Sequence, residues 1–332
     1  MRAIVCDEYG PFENLTIKDL PAPVPGPGQV LLDVNAAGVS FAQSLTVAGK
    51  YQVKPALPFV PGVEVAGVVS AVADDVTNVA PGARVSAGVT YGGFAERAIA
   101  PAHHCRVMPD AMDFGQAVMF VTSYPTAYAA LIWKAVLQPG ETVLVHGAAG
   151  GVGLAAVEIA KAKGARVIAT AGSDEKCAVA ERHGADFSVN YRDQPFRDAV
   201  KSWTGGRGVD VVIDPVGGDA LIESLRAMNR EARLITVGYA SGAIPEPPVN
   251  LLLVKNMSII GLNFGTYMGW SPGDDGTAYL ERLDALHADL KAMFEAGQLQ
   301  PVVSHRFELA AFNTAMETVL GRQSIGKVVL EP

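Results

Sequence analysis

Residues 143–153 read VLVHGAAGGVG, an apolar run that ends in a turn of glycine and alanine. A backbone without side chains can approach a pyrophosphate closely, and the first N–H groups of a following helix present partial positive charge to it. Gly150, Gly151 and Gly153 meet that need. The strict G-x-G-x-x-G spacing is absent, because Ala148 stands at its first glycine. The weight therefore falls on context: a strand before the turn, the helix LAAVEIAKAKG after it, and a second strand about 20 residues on.

That second strand, ARVIATAGSDEK, discriminates between cofactors. A site for NAD commonly ends this strand with Asp or Glu on the ribose 2′-hydroxyl; here it ends Thr170-Ala171-Gly172-Ser173. Without the carboxylate, a 2′-phosphate meets no repulsion. Ser173 can donate a hydrogen bond and Lys176 supplies charge. Asp174 and Glu175 fit the first turn of the next helix, where negative charge is favourable. The expected cofactor is NADPH.

Other reactive residues support less. His103, His104 and Cys105 in APAHHCRV read as strand, and successive strand residues point to opposite faces, so the trio does not converge on one ion. Cys6, Cys105 and Cys177 form no CxxC pair, which fits a reducing compartment. No metal is expected. No G-x-S-x-G elbow appears, so hydrolase chemistry lacks support. The formal net charge of −8 argues against nucleic acid as a partner. Neither a signal peptide nor an apolar run of about 18 residues is read, so the expectation is a cytoplasmic protein without a membrane partner.

The elements that must position these groups follow from patterning. A chain of 332 residues is long for one core, so two domains are expected. Up to about residue 120, short apolar strands alternate with Gly/Pro turns, as in a small irregular β-barrel. A helix candidate from TSYPTAYAALIWKAV ends at Gln138-Pro139-Gly140, and three strand-then-helix repeats follow: ETVLVHG with LAAVEIAKAKG, ARVIATAG with DEKCAVAERHG, and VDVVIDPVG with ALIESLRAMNR. This is the pattern of βαβ units on a parallel sheet, to which ARLITVGYA adds a strand. After about residue 250, LLLVKNMSIIGLNFG reads as strand-rich, TAYLERLDALHADLKAMFEAG as a long amphipathic helix stopped by Gly297, and IGKVVLEP as a final edge strand.

The opening strand, PGPGQVLLDVNAAGVS, GKYQVKPALPFVPGVEVAGVV, TAYAAL, HGAAGGVG, KNMSIIGLNFGTY and IGKVVL together resemble the zeta-crystallin-like, zinc-independent quinone oxidoreductases of the medium-chain dehydrogenase/reductase superfamily, over essentially the whole chain. The resemblance implies an α/β protein. It implies a GroES-like β-barrel catalytic domain over 1–122 that resumes at 259–332, a Rossmann doubly wound parallel-sheet domain over 123–258, and NADPH in the cleft between them. It implies Thr126 beside the nicotinamide and Ala149, Gly150, Gly151 and Val152 in the pyrophosphate loop. Gly172, Ser173, Lys176 and Tyr191 correspond to the 2′-phosphate pocket, and Arg322 to a further cofactor contact. A homodimer through the Rossmann sheet edges is implied as well. Where zinc-dependent relatives carry Cys and His ligands, this chain has Ser40 and Val63.

Without a Lewis acid, an electron-poor acceptor is the easier hydride target. Candidate catalytic residues are Tyr51, which resembles the tyrosine of the family's Gly-x-Tyr segment, and Ser40, which keeps a hydrogen-bonding group where many relatives have Asn. Tyr51 reads equally well as a packing aromatic. Leu45 replaces a family tyrosine, whereas Asn263, Phe264 and Tyr267 are expected to shape the acceptor pocket. Glu64 is expected to be structural, and Asp214 a polar anchor at a strand end. Three functions remain open: an NADPH-dependent quinone reductase, a reductase of enones or 2-enoyl thioesters, and an NADPH-binding structural or regulatory protein with vestigial catalysis.

Overall fold

Glycine turns between short apolar runs do build strands in the first part of the chain. The computed structural model describes residues 1–273 and 275–332. These form one unit of Met1–Thr122, Gly265–Lys291 and Pro301–Pro332, and a second of Ser123–Phe264 and Ala292–Gln300. The first unit opens with β1 (Arg2–Val5), β2 (Thr16–Asp19), β3 (Gln29–Val39), α1 (Phe41–Val47), β4 (Glu64–Val72), β5 (Arg84–Gly88), β6 (Arg97–Pro101), β7 (Cys105–Val107) and α2 (Phe114–Met119). Strand β3 is long enough to pair with both β4 and β6, and its register against β4 shifts at Leu31/Leu32 and Val34/Ala36. Bulges of this kind bend a strand and increase its twist. Inside lies an apolar core that includes Ile4, Leu32, Val65 and Val85, all fully buried.

The second unit runs α3 (Ser123–Tyr128), a π-helical turn Ala129–Lys134, β8 (Thr142–Val145), α4 (Gly151–Ala162), β9 (Arg166–Ala171), α5 (Asp174–Arg182), β10 (Phe187–Asn190), α6 (Phe196–Trp203), β11 (Val209–Asp214), α7 (Asp219–Ala227), β12 (Met228–Thr236), α8 (Asn250–Lys255) and β13 (Ser258–Gly261). All six strands are parallel, in the order β10-β9-β8-β11-β12-β13. This is the doubly wound arrangement whose order reverses between its first and fourth strands, here β8 and β11. Every residue of β8 and β11 is buried, as expected for strands covered on both faces.

The chain then returns through α9 (Phe264–Tyr267), α10 (Leu280–Glu295), β14 (Val303–Glu308), α11 (Phe312–Leu320) and β15 (Lys327–Glu331). The first unit's main sheet has the order β14-β15-β3-β4-β5-β7, with β6 also on β3.

Four expectations differ from this architecture. IGKVVL is not an edge strand, because β15 lies between β14 and β3 and the edge passes to β14. LLLVKN is helical rather than strand: α8 follows Pro247 and Pro248 and stops at left-handed Asn256, placing Leu251 and Leu252 on the core while Leu253 and Val254 stay exposed. The pair β10–α6 adds a strand-helix unit between the second and third repeats. His103 and His104 lie in a 3-10 turn before β7, and this turn brings their rings together at 4.4 Å instead of onto opposite faces.

Candidate active site

The glycine turn takes its shape from close approach. Gly147 has φ 56°, and Gly150 N–H donates to its carbonyl at 2.9 Å. A β-carbon on Gly153 would collide with that same Gly147 oxygen. Gly150 is extended, and no side chain caps the helix that starts after it. The first N–H groups of α4 therefore keep their donors for a ligand. Ala148 N–H donates to Thr170 O at 3.1 Å, tying the turn to β9.

Behind the turn, buried polar groups hold it in place. Buried Glu158 on α4 accepts from Tyr124 Oη at 2.7 Å and Gln300 N at 3.1 Å, and pairs with His183 Nδ1 at 2.6 Å. Tyr124 lies on α3, the helix that carries buried Thr126. Burial, then Glu158, raises the Tyr124 hydroxyl well above its ordinary value, so it stays a donor. His146, at the end of β8, joins Thr170 Oγ1 at 2.8 Å and Ser224 Oγ at 2.7 Å. Since Ser224 spends its own proton on Ala220 O, His146 Nε2 is the donor and Nδ1 the acceptor. Asp214 ends β11, where its Oδ1 accepts from the N–H groups of Val216 and Gly217.

At the end of β9, a β-carbon on Gly172 would lie 2.7 Å from Tyr191 Oη, so glycine is what lets the tyrosine close over the strand. Ser173 caps α5 by accepting from Lys176 N–H at 3.3 Å, which leaves its hydroxyl proton to donate elsewhere. Asp174 accepts from Asn190 Nδ2 at 3.1 Å. Arg192 Nε lies 3.6 Å from the same point above Gly172. No sequence signal singled out Arg192, whose relevance comes from β10 lying beside β9.

In the first unit, Ser40 and Tyr51 flank α1. Ser40 precedes the helix and its N–H donates to Gln43 Oε1 at 2.7 Å, whereas Tyr51 follows it and its N–H donates to Leu45 O at 3.1 Å. Burial raises the Tyr51 phenol. Tyr91 is raised by burial and by the nearby Tyr9 and Tyr51 hydroxyls, and its ring packs edge-on to Phe59 at 5.6 Å. Tyr91 is thus a neighbour of Tyr51 that sequence spacing did not reveal. Tyr267 is buried edge-on to Tyr279 at 5.0 Å, under the Arg282 guanidinium at 5.7 Å. Arg322, with φ 56°, lies in the turn after α11. Asn263 is exposed and Phe264 buried, both in the second unit.

The residues present do not fit a catalytic zinc. Ser40 and Val63 stand at two ligand positions. Glu64, beside Val63, is sealed in an ion pair with Lys327 and accepts from Thr122 Oγ1. Among the described residues, no group of three or more His, Cys, Asp or Glu could hold a metal ion.

A six-stranded doubly wound sheet with a glycine cradle, joined in one chain to a strand-rich unit carrying Ser40 and Tyr51, defines a two-domain nucleotide-dependent oxidoreductase. Residues 26–110 match the alcohol dehydrogenase GroES-like domain, and residues 151–276 the zinc-binding dehydrogenase domain. Mouse quinone oxidoreductase-like protein 2 is 40% identical over 331 residues, covering 99% of this chain and 91% of that protein. Human quinone oxidoreductase is 35% identical over 333 residues, covering 99% and 97%. Escherichia coli quinone oxidoreductase, solved in complex with NADPH, superposes with a TM-score of 0.90 at 28% identity, covering all of both chains. The chain belongs to the quinone oxidoreductase family of the medium-chain dehydrogenase/reductase superfamily.

Proposed function

We propose that this oxidoreductase is a zinc-independent, NADPH-dependent reductase of quinones, working as a homodimer in the cytoplasm. The observation that carries the reading is the end of β9: no carboxylate occupies the ribose position, Ser173 keeps a proton to donate, and Arg192 and Tyr191 close over Gly172. These groups suit a 2′-phosphate. The α4 N-terminus and the turn Ala149–Val152 would hold the pyrophosphate, with Thr126 beside the nicotinamide and Lys176 and Arg322 as further contacts.

Bound NADPH supplies the hydride, and the protein's part is position and protons. Tyr51, kept protonated by burial, holds its hydrogen for an oxygen that gains negative charge during reduction. Ser40 contributes a second hydrogen-bonding group, while Asn263, Phe264 and Tyr267 shape the acceptor space. The family matches, the separated free cysteines and a described structure with no helix long and apolar enough to cross a membrane support the assignment. For the dimer, β13 is an edge of the parallel sheet among the described residues, and α8, which precedes it in the chain, exposes Leu253 and Val254.

The protonated Tyr51 also favours a second reading, reduction of enones or 2-enoyl thioesters, in which a proton donor is indispensable. Tyr51→Phe separates the two. Under the quinone reading, turnover of 1,4-benzoquinone falls less than tenfold because the acceptor is already electron-poor. Turnover of an enone or 2-enoyl thioester that exceeds that of the quinones in the parent chain, and falls 100-fold or more in Tyr51→Phe, transfers the assignment to the second reading.

A further inference from the structure

The first unit contains a cavity of about 180 Å³ that shares no residue with the candidate active site. An apolar cavity of about 150 Å³ is enough to take up benzene, so this one has room for a single ring with a substituent. One wall is α10, whose Asp284, His287, Ala288 and Lys291 fall at spacings of three and four and so share a face. Met108, Met112 and Phe120 form an apolar wall, and thioethers pack well against ring edges.

Two uncharged polar groups line the same space, Ser86 from β5 and His287 from α10. Neither side chain makes a hydrogen bond among the described residues. Burial first, then Arg106 and His104, pushes His287 down to about 3, so its ring is neutral and offers one donor and one acceptor. Of the charges alongside, Arg106 and Asp284 compensate each other, and Lys291 has an interaction of its own. Arg106 pairs with Asp284 at 2.7 Å and donates to His103 O at 2.9 Å. An ionised ligand would lose hydration without gaining a counter-charge from that pair.

We propose that this cavity is a second ligand site, built for an uncharged single-ring phenol that packs on Met108, Met112 and Phe120 and hydrogen-bonds to Ser86 and His287. A phenolic hydroxyl both donates and accepts, which matches the two unpartnered side chains. The site is independent of the hydride chemistry.

The test is a 19F NMR titration of the full chain, saturated with NADPH, using 4-fluorophenol, fluorobenzene and 4-fluorobenzoate. Saturable 4-fluorophenol binding is expected, at least tenfold tighter than fluorobenzene, with 4-fluorobenzoate weaker than the phenol. His287→Leu should lose tenfold or more and Ser86→Ala severalfold. Ala288→Phe, which fills the mouth from an exposed helix position, should abolish binding even if His287→Leu does not fold. Binding that survives Ala288→Phe but is lost in Tyr51→Phe would move the phenol to the acceptor site and overturn the proposal. So would tighter binding of the benzoate, or no saturation at millimolar ligand.

Discussion

The carbonyl oxygen of Gly147 fills the space that a β-carbon on Gly153 would need, so the turn and the first turn of its helix are in direct backbone contact. Gly153→Ala must displace Gly147, and with it the turn proposed to hold the pyrophosphate. NADPH affinity should fall at least tenfold, about 1.4 kcal/mol, in a fluorescence titration. An unchanged Kd would mean that the cradle is not the pyrophosphate site.

Nucleotide choice should turn on the end of β9. Ser173→Asp keeps a competent helix cap but restores the carboxylate that a 2′-phosphate avoids. The ratio of NADPH to NADH kcat/KM should drop at least tenfold. Arg192→Ala should lower it several-fold while leaving the NADH value alone, which steady-state kinetics with both nucleotides will show.

The ion pair of Glu64 and Lys327 is sealed at 3% and 6% exposure. Removing one member leaves the other charged and buried, which costs about 3–5 kcal/mol. Lys327→Met should therefore lower the urea midpoint strongly, and Lys327→Met combined with Glu64→Leu should recover most of the loss. An additive double mutant would show that the pair is not coupled.

Acid stability should depend on the histidines beside α10. Burial holds His287 at about 3 and His104 at about 4, both below the ordinary 6.5. Between those values and 6.5 the unfolded chain binds more protons, so the histidine contribution is fully present above pH 6.5 and is lost as pH falls through that window. Each such group adds at most about 1.4 kcal/mol per pH unit to the slope. Urea unfolding from pH 7 to pH 4.5 should be measurably less pH-dependent in His287→Leu than in the parent chain.

What the sequence made legible was set by locality. The glycine turn and the parallel strands announce themselves because their chemistry fixes residue types over a few consecutive positions. Strand β10 buries only Val189 of its four residues and so leaves no periodic trace. LLLVKN is apolar throughout, and only the prolines before it and left-handed Asn256 after it mark a helix. Arg192 and Tyr91 reach their neighbours through strand order and loop placement. Spacing along the chain does not encode such contacts. The contact of the His103 and His104 rings depends on a single 3-10 turn, which replaces the alternation of a strand.

The most direct measurement is oxidation of NADPH, with NADH in parallel, against 1,4-benzoquinone, 9,10-phenanthrenequinone, an enone and a 2-enoyl thioester, with and without a chelator. The account predicts quinone turnover with NADPH at least tenfold above NADH and no effect of the chelator. Tight NADPH binding without turnover of any acceptor, or activity that the chelator abolishes, would contradict it.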